Sequence, residues 1–196
     1  MSHNSGNPIW NIPNVITLFR IALIPVIAIL LLSPSKEAGF WAAAVFAVAS
    51  ATDWLDGYLA RRMGIVTTFG KFLDPIADKL MVMAALVMIL PFNRIPAWMV
   101  LVILGREIII TGLRGVASTE GIVIPASDLG KFKTIFQIVA ILGLLLHYDY
   151  YWFFSVPHPY LYVNMHHFGM FFLWIAVIIT IWSGFDYLRK FARVIS

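Results

Sequence analysis

Apolar residues run along the chain in six long blocks, separated by short stretches rich in proline, glycine, serine or asparagine. A helix needs about 20 apolar residues to span the hydrocarbon core of a bilayer, so blocks of this length read as membrane helices. The pattern predicts helices over roughly 13–33, 38–62, 70–91, 95–117, 129–147 and 168–188. Their breaks fall on turn chemistry: Ser33-Pro34-Ser35, the Met63-to-Phe69 connection, Pro91-Phe92-Asn93 before Pro96, Gly121 to Ser127 with Pro125, and Pro157-His158-Pro159. No internal repeat or low-complexity tract is visible, so a repeat-built transporter gains no support.

Composition fixes the solvent. With 61% apolar and 12% charged residues, the chain is too apolar for a soluble domain, where roughly a quarter of residues are charged. The expected fold is therefore an all-α integral membrane protein, with six transmembrane helices in one bundle. Residues 1–12 read as a cytoplasmic amino-terminal segment, 13–190 as the six-helix domain and 191–196 as a basic tail. The polar start, Met1 to Asn11, lacks the basic region, short apolar core and cleavage site of a signal peptide. With no cysteine, the chain offers no disulfide, thiolate zinc site or cysteine nucleophile, so any metal must sit on oxygen or histidine. The formal charge of +4 suits an anionic membrane surface or anionic substrates; no nucleic-acid partner is expected.

Charge placement sets the orientation. Threading six helices puts Arg20, Arg61, Arg62, Lys71, Lys79, Arg106, Arg114, Lys131, Lys133, Arg189, Lys190 and Arg193 on one side, and leaves only Lys36 and Arg94 on the other. Cytoplasmic ends hold the positive charge, so both termini are expected in the cytoplasm, with Arg189, Lys190 and Arg193 as an anionic-lipid anchor. The connection over 148–167 has no Lys or Arg and is rich in aromatic residues, as an outer interface layer would be. Its His158, His166 and His167 read as solvated or beside lipid headgroups rather than as a metal site.

The informative anomaly is acidic. Asp53 and Asp56 in the second predicted helix, and Asp74 and Asp78 in the third, interrupt segments otherwise apolar enough to span, and such groups usually mark an ion path or a site. At about 100° per residue, Asp53, Asp56, Gly57, Ala60 and Arg61 share one helical face, and Gly70, Asp74, Ala77 and Asp78 share another. Depth counts agree: Asp53 and Asp78 both lie roughly 12 Å in from the shared connection. Four like charges need cations or protons to coexist, and an all-oxygen set selects hard ions such as Mg²⁺, Mn²⁺ or Ca²⁺. Structural ion pairs with Lys79, Arg61 and Arg62 are the bland alternative, and a proton or cation transporter is the stronger rival. Neither rival explains the small residues beside the acids, which let a helix or a phosphate chain approach the backbone closely.

Written out, Asp53-x2-Asp56-Gly57-x2-Ala60-Arg61-x8-Gly70-x3-Asp74-x3-Asp78 resembles the whole signature of the CDP-alcohol phosphotransferase family, without departure. The resemblance implies six transmembrane helices, a homodimer, and an active site opening to the cytoplasm. It implies that Asp53, Asp56, Asp74 and Asp78 hold two metal ions, Mg²⁺ or Mn²⁺, and that Asp78 doubles as general base. It also places Asn14, Thr17, Gly57, Arg61 and Thr67 around the CDP-lipid, with Arg61 on phosphate. Two further stretches look like the bacterial phosphatidylglycerophosphate synthases: Asn11 to Arg20, and Gly105-Arg106-Glu107 through Gly112-Leu113-Arg114 to Pro125 and Thr134.

That likeness implies transfer of the phosphatidyl group of CDP-diacylglycerol to sn-glycerol 3-phosphate, giving phosphatidylglycerol phosphate and CMP, at a bacterial cytoplasmic (inner) membrane. A family relative using inositol phosphate or serine is the alternative. The diacyl chains would stay among the membrane lipids, which requires a lateral opening between helices. A dianionic acceptor needs cations outside the metal cluster, and Arg106, Arg114, Lys131 and Lys133 are the candidates for its phosphate. The positive-inside rule alone would account for the same four cations, and Glu107 is expected to pair with one of them.

Overall fold

The computed structural model describes residues 12–63, 68–119, 128–151 and 162–195. Among them the fold is all-α with one small hairpin. The helices are α1 (Ile12–Leu30), α2 (Lys36–Met63), α3 (Thr68–Ile89), α4 (Ala97–Thr119), α5 (Asp128–Leu146) and α6 (Met165–Ile195). They follow the six apolar blocks closely, except that α6 starts earlier and runs through the basic residues to Ile195. The aromatic connection also holds a hairpin that apolar periodicity does not announce. Strands β1 (Asp149–Tyr151) and β2 (Tyr162–Asn164) pair antiparallel, with Tyr150 opposite Val163.

Polarity is inverted relative to a water-soluble protein. Leu32, Leu101 and Trp182 are about 70% exposed (71%, 73% and 69%), whereas Thr17, Arg20 and Thr180 are fully buried. An exterior of this kind aggregates in water but is ordinary against lipid, where polar groups turn inward to find partners. Among the described residues, two segments, Pro75–Phe92 and Met165–Val194, are long and apolar enough to cross a membrane, and α1 and α5 contribute the shorter apolar stretches Asn14–Leu30 and Phe132–Leu146.

The chain forms two compact units, Met1–Met88 and Ile89–Ser196. In the first, α1 packs along α2. Buried Ile27 of α1, Leu31 just past its end, and Ala42, Ala43, Phe46 and Ala49 of α2 make up its core there, and the alanines permit a close approach of backbones. The serine of the predicted break starts α2: Ser35 Oγ accepts from the Ala38 N–H at 3.1 Å, satisfying one of the orphan donors of the first turn.

In the second unit α6 is the spine against which both α4 and α5 pack. The tightest seam is α5 on α6. A Cβ placed on Gly143 would stand 2.8 Å from Gly169 Cα, and one on Gly169 would stand 2.7 Å from the Leu144 N. Only hydrogen fits at either place. Asn164 starts α6, its Oδ1 accepting from the His167 N–H at 2.8 Å. At the same carboxy-terminal end of α5, Arg94 is buried and donates to the carbonyls of Leu144 and Leu145 at 3.3 and 3.5 Å, a cation on the negative end of the helix. Its guanidinium lies 5.2 Å from the Phe92 ring centroid and 5.6 Å from that of Tyr148. Arg94 is therefore a helix cap.

Beside it His147, just past the end of α5, takes a left-handed φ of 54° and packs its ring 4.9 Å from that of His166. Burial, then the Arg94 and His166 charges, push His147 down to about 4 against the pull of Asp149. His158 lies outside the described residues.

Two predictions follow from these contacts. Gly143→Ala and Gly169→Ala are each expected to cost about 1–3 kcal/mol through overpacking, while Gly115→Ala, with nothing within 4 Å, is expected to be nearly neutral. Thermal unfolding in detergent measures the difference. For His147, the unfolded chain takes up a proton near 6.5 and the folded chain resists it until about 4. Its contribution to stability is thus complete above about 6.5 and is lost as pH falls toward 4. His147→Asn, which tolerates the left-handed backbone, should flatten the fall in melting temperature across that window. An unchanged slope would exclude this origin.

Candidate active site

The first unit gathers polar side chains from three helices. On α1, Asn14, Thr17 and Arg20 follow one another at three-residue spacing, and all three are buried. On α2 and α3, Asp53 and Asp78 each reach the same atom of that stripe. Arg20 Nη1 donates to Asp53 Oδ1 at 2.7 Å and to Asp78 Oδ1 at 2.6 Å. The arginine side chain is fully buried, whereas the two carboxylates are 40% and 45% exposed. A buried cation thus ties together two acids that remain open on their other side.

This junction brings together the far members of the two acidic pairs. Asp56 lies one turn beyond Asp53 on α2, and Asp74 one turn before Asp78 on α3. The side chains of Asp56, Asp74, Gly57 and Arg61 lie outside the described residues, as does Thr67 altogether. The described donors suit a hard cation: Asp53 and Asp78 present carboxylate oxygens that stay partly open beside the shared guanidinium, and Mg²⁺ and Mn²⁺ favour such oxygens over softer ligands. Arg20 itself is visible in the sequence only as one more cation. Its i, i+3, i+6 relation to Thr17 and Asn14 is the signal that would have placed it in the site.

The second unit holds a separate cationic group. Glu107 on α4 accepts from Arg106 Nη1 at 3.3 Å and also pairs with Lys133 of α5, so it serves two of the expected cations rather than one. Lys133 is buried, with Gln137 buried one turn further along α5. Arg106 Nη2 also donates to Ser183 Oγ of α6 at 3.3 Å. Two turns along α4, Arg114 is exposed and stands 5.9 Å from the Tyr187 ring centroid. The Lys131 side chain lies outside the described residues. Arg106 and Lys133 are therefore brought together through Glu107, while Arg114 occupies a different level. A groove of about 440 Å³ between α4 and α6 reaches Arg106 past Gly105, Thr180 and Gly184. Thr180 and Ser183 of α6 drew no functional reading from the sequence, because single hydroxyls in a long apolar helix look like packing.

Two aspartates of the signature, Asp53 and Asp78, thus meet at one guanidinium. Residues 10–182 match the family model described as CDP-alcohol phosphatidyltransferase. The chain belongs to that family. Three relatives carry the name CDP-diacylglycerol--glycerol-3-phosphate 3-phosphatidyltransferase. The Bacillus subtilis (strain 168) protein is 46% identical over 193 residues, covering 92% of this chain and 95% of the relative. The Haemophilus influenzae protein is 41% identical over 187 residues, covering 92% of each. The Escherichia coli (strain K12) protein is 38% identical over 185 residues, covering 91% of this chain and 93% of the relative.

The shared guanidinium gives a direct test. Arg20→Gln leaves Asp53 and Asp78 short of a charged partner and is expected to cost about 1–3 kcal/mol of stability. Divalent cation should recover part of that loss, so Mg²⁺ would raise the melting temperature of the variant more than that of the parent. Equal responses of the two proteins to Mg²⁺ and to chelator would argue against a cation site at this junction.

Proposed function

We propose that this family member transfers the phosphatidyl group of CDP-diacylglycerol to sn-glycerol 3-phosphate, releasing phosphatidylglycerol phosphate and CMP. The observation that carries the reading is the meeting of Asp53 and Asp78 on Arg20, in a chain whose relatives bear the name of that reaction. The two aspartates stay partly open beside it, as a substrate-facing acid pair must.

In this reading Asp53, Asp56, Asp74 and Asp78 hold divalent metal, Mg²⁺ or Mn²⁺, as two ions. When bound, the metal would neutralise the diphosphate and polarise the phosphorus under attack. Arg20 holds Asp53 and Asp78 at fixed separation and offsets part of their charge. Asp78 accepts the proton of the attacking primary hydroxyl, a step a carboxylate can perform when it is coupled to phosphorus–oxygen bond formation. Asn14, Thr17, Gly57, Arg61 and Thr67 bind the CDP-lipid, Arg61 as a phosphate cation. Arg106, Arg114, Lys131 and Lys133 bind the acceptor's phosphate, which the pairing of Glu107 with both Arg106 and Lys133 supports. Glu107 holds these two cations close together, and an arriving dianion competes with it for both.

The same reading makes the six helices spans of a bacterial cytoplasmic membrane, with both termini and the active site on the cytoplasmic side, and the molecule a homodimer. The weight of positive charge supports that orientation. An assay with labelled glycerol 3-phosphate, with and without CDP-diacylglycerol and Mg²⁺, tests the reaction; inositol phosphate and serine serve as competing acceptors. Asp78→Asn is expected to keep the parent's melting temperature within a few degrees while losing more than about 100-fold in turnover, since base and ligand are removed together. Near-parental turnover in that variant would refute the assignment of the base.

A further inference from the structure

Thr180, Ser183 and Tyr187 of α6 recur at the spacing of one helical face, and all are buried in the second unit. Tyr187 stacks near Arg114, and Ser183 is the one that hydrogen-bonds a cation among the described residues. Its hydroxyl donates to the Thr180 carbonyl at 3.2 Å, which turns its remaining lone pairs outward, and Oγ accepts from Arg106 Nη2 at 3.3 Å. The next residue gives the arginine room. A Cβ on Gly184 would stand 3.1 Å from Arg106 Cγ and 3.9 Å from its Nε, so the stem of Arg106 lies against bare α6 backbone.

The guanidinium is thus held at both terminal nitrogens, by Glu107 on Nη1 and Ser183 on Nη2. Its Nε is buried and makes no hydrogen bond among the described residues. A buried N–H of a charged group without an acceptor is costly in an apolar bundle, and an anion that supplies the acceptor gains correspondingly. The Nε–Nη2 edge is also one of the two edges through which an arginine grips an oxyanion with paired hydrogen bonds. Fixing the plane of this long side chain before the ligand arrives removes part of the ordering cost from binding.

We propose that Ser183 and Gly184 are positioning residues for the acceptor: Gly184 admits the Arg106 stem, and Ser183 fixes the rotation of its guanidinium so that the Nε edge faces the phosphate. The proposal rests on the reading of Arg106 as an acceptor-phosphate ligand. It makes α6 part of the discrimination between a phosphorylated acceptor and a neutral alcohol, because only the former satisfies the waiting donor.

The test compares Ser183→Ala, Ser183→Thr, Gly184→Ala and Arg106→Ala in the full-length protein, measuring KM for glycerol 3-phosphate and for CDP-diacylglycerol separately. Ser183→Ala and Gly184→Ala are expected to raise the acceptor KM roughly tenfold and to leave the lipid KM within about twofold, the size of one hydrogen bond to a charged group. Ser183→Thr, which keeps the hydroxyl, should return the acceptor KM to near the parental value. Equal rises for both substrates, or no rise in Ser183→Ala while Arg106→Ala raises the acceptor KM, would overturn the positioning role and leave the acceptor site standing. If Arg106→Ala itself leaves the acceptor KM unchanged, the acceptor reading fails, and this inference with it. Should Gly184→Ala not fold, the Ser183 pair alone decides.

Discussion

A fully buried arginine joined to two half-open carboxylates is the constraint on which the first unit depends. Lipid offers no water to solvate Arg20, so its charge must be met inside the protein, and Asp53 and Asp78 meet it at one nitrogen. The requirement works in both directions. The acids need a nearby cation to sit side by side, and the cation needs acids to be buried at all. Three helices are thereby held in register by a single guanidinium, and the register is what aligns the acidic faces of α2 and α3.

The second unit solves a related problem with the opposite sign. Arg106 and Lys133 are two cations in an apolar setting, and both pair with Glu107. Among the described side chains, one carboxylate against two cations leaves a positive remainder, and one guanidinium against Asp53 and Asp78 leaves a negative one. Each remainder is a demand for an external ion of the other sign, which is a common way for membrane-embedded ionisable groups to become binding sites.

Much of this was legible in the sequence. Blocks of spanning length located the helices because length and apolarity together leave few alternatives, and the acidic spacing pointed to two faces because a helix repeats every 3.6 residues. Other features were hidden for physical reasons. Arg20 read as one of many positive charges, because its spacing from Asn14 and Thr17 is the one local sign that it turns inward, and its acidic partners lie on other helices. The capping role of Arg94 was equally hidden, its carbonyl partners lying about fifty residues downstream at the end of α5. Ser183 and Gly184 are small residues in a long apolar helix, and their meaning depends on a neighbour that periodicity within α6 cannot reveal. The hairpin is too short to produce an alternating pattern that stands out from an aromatic loop.

The contact of Gly143 with Gly169 bears on how a two-tailed lipid can come and go. Where two backbones touch through hydrogens alone, no gap exists for an acyl tail and no side chain can swing aside to make one. At that level the α5–α6 wall of the second unit is sealed. Whatever doorway admits the fatty part of a substrate must open along some other seam, and sequence changes that alter acyl preference should be sought away from this pair.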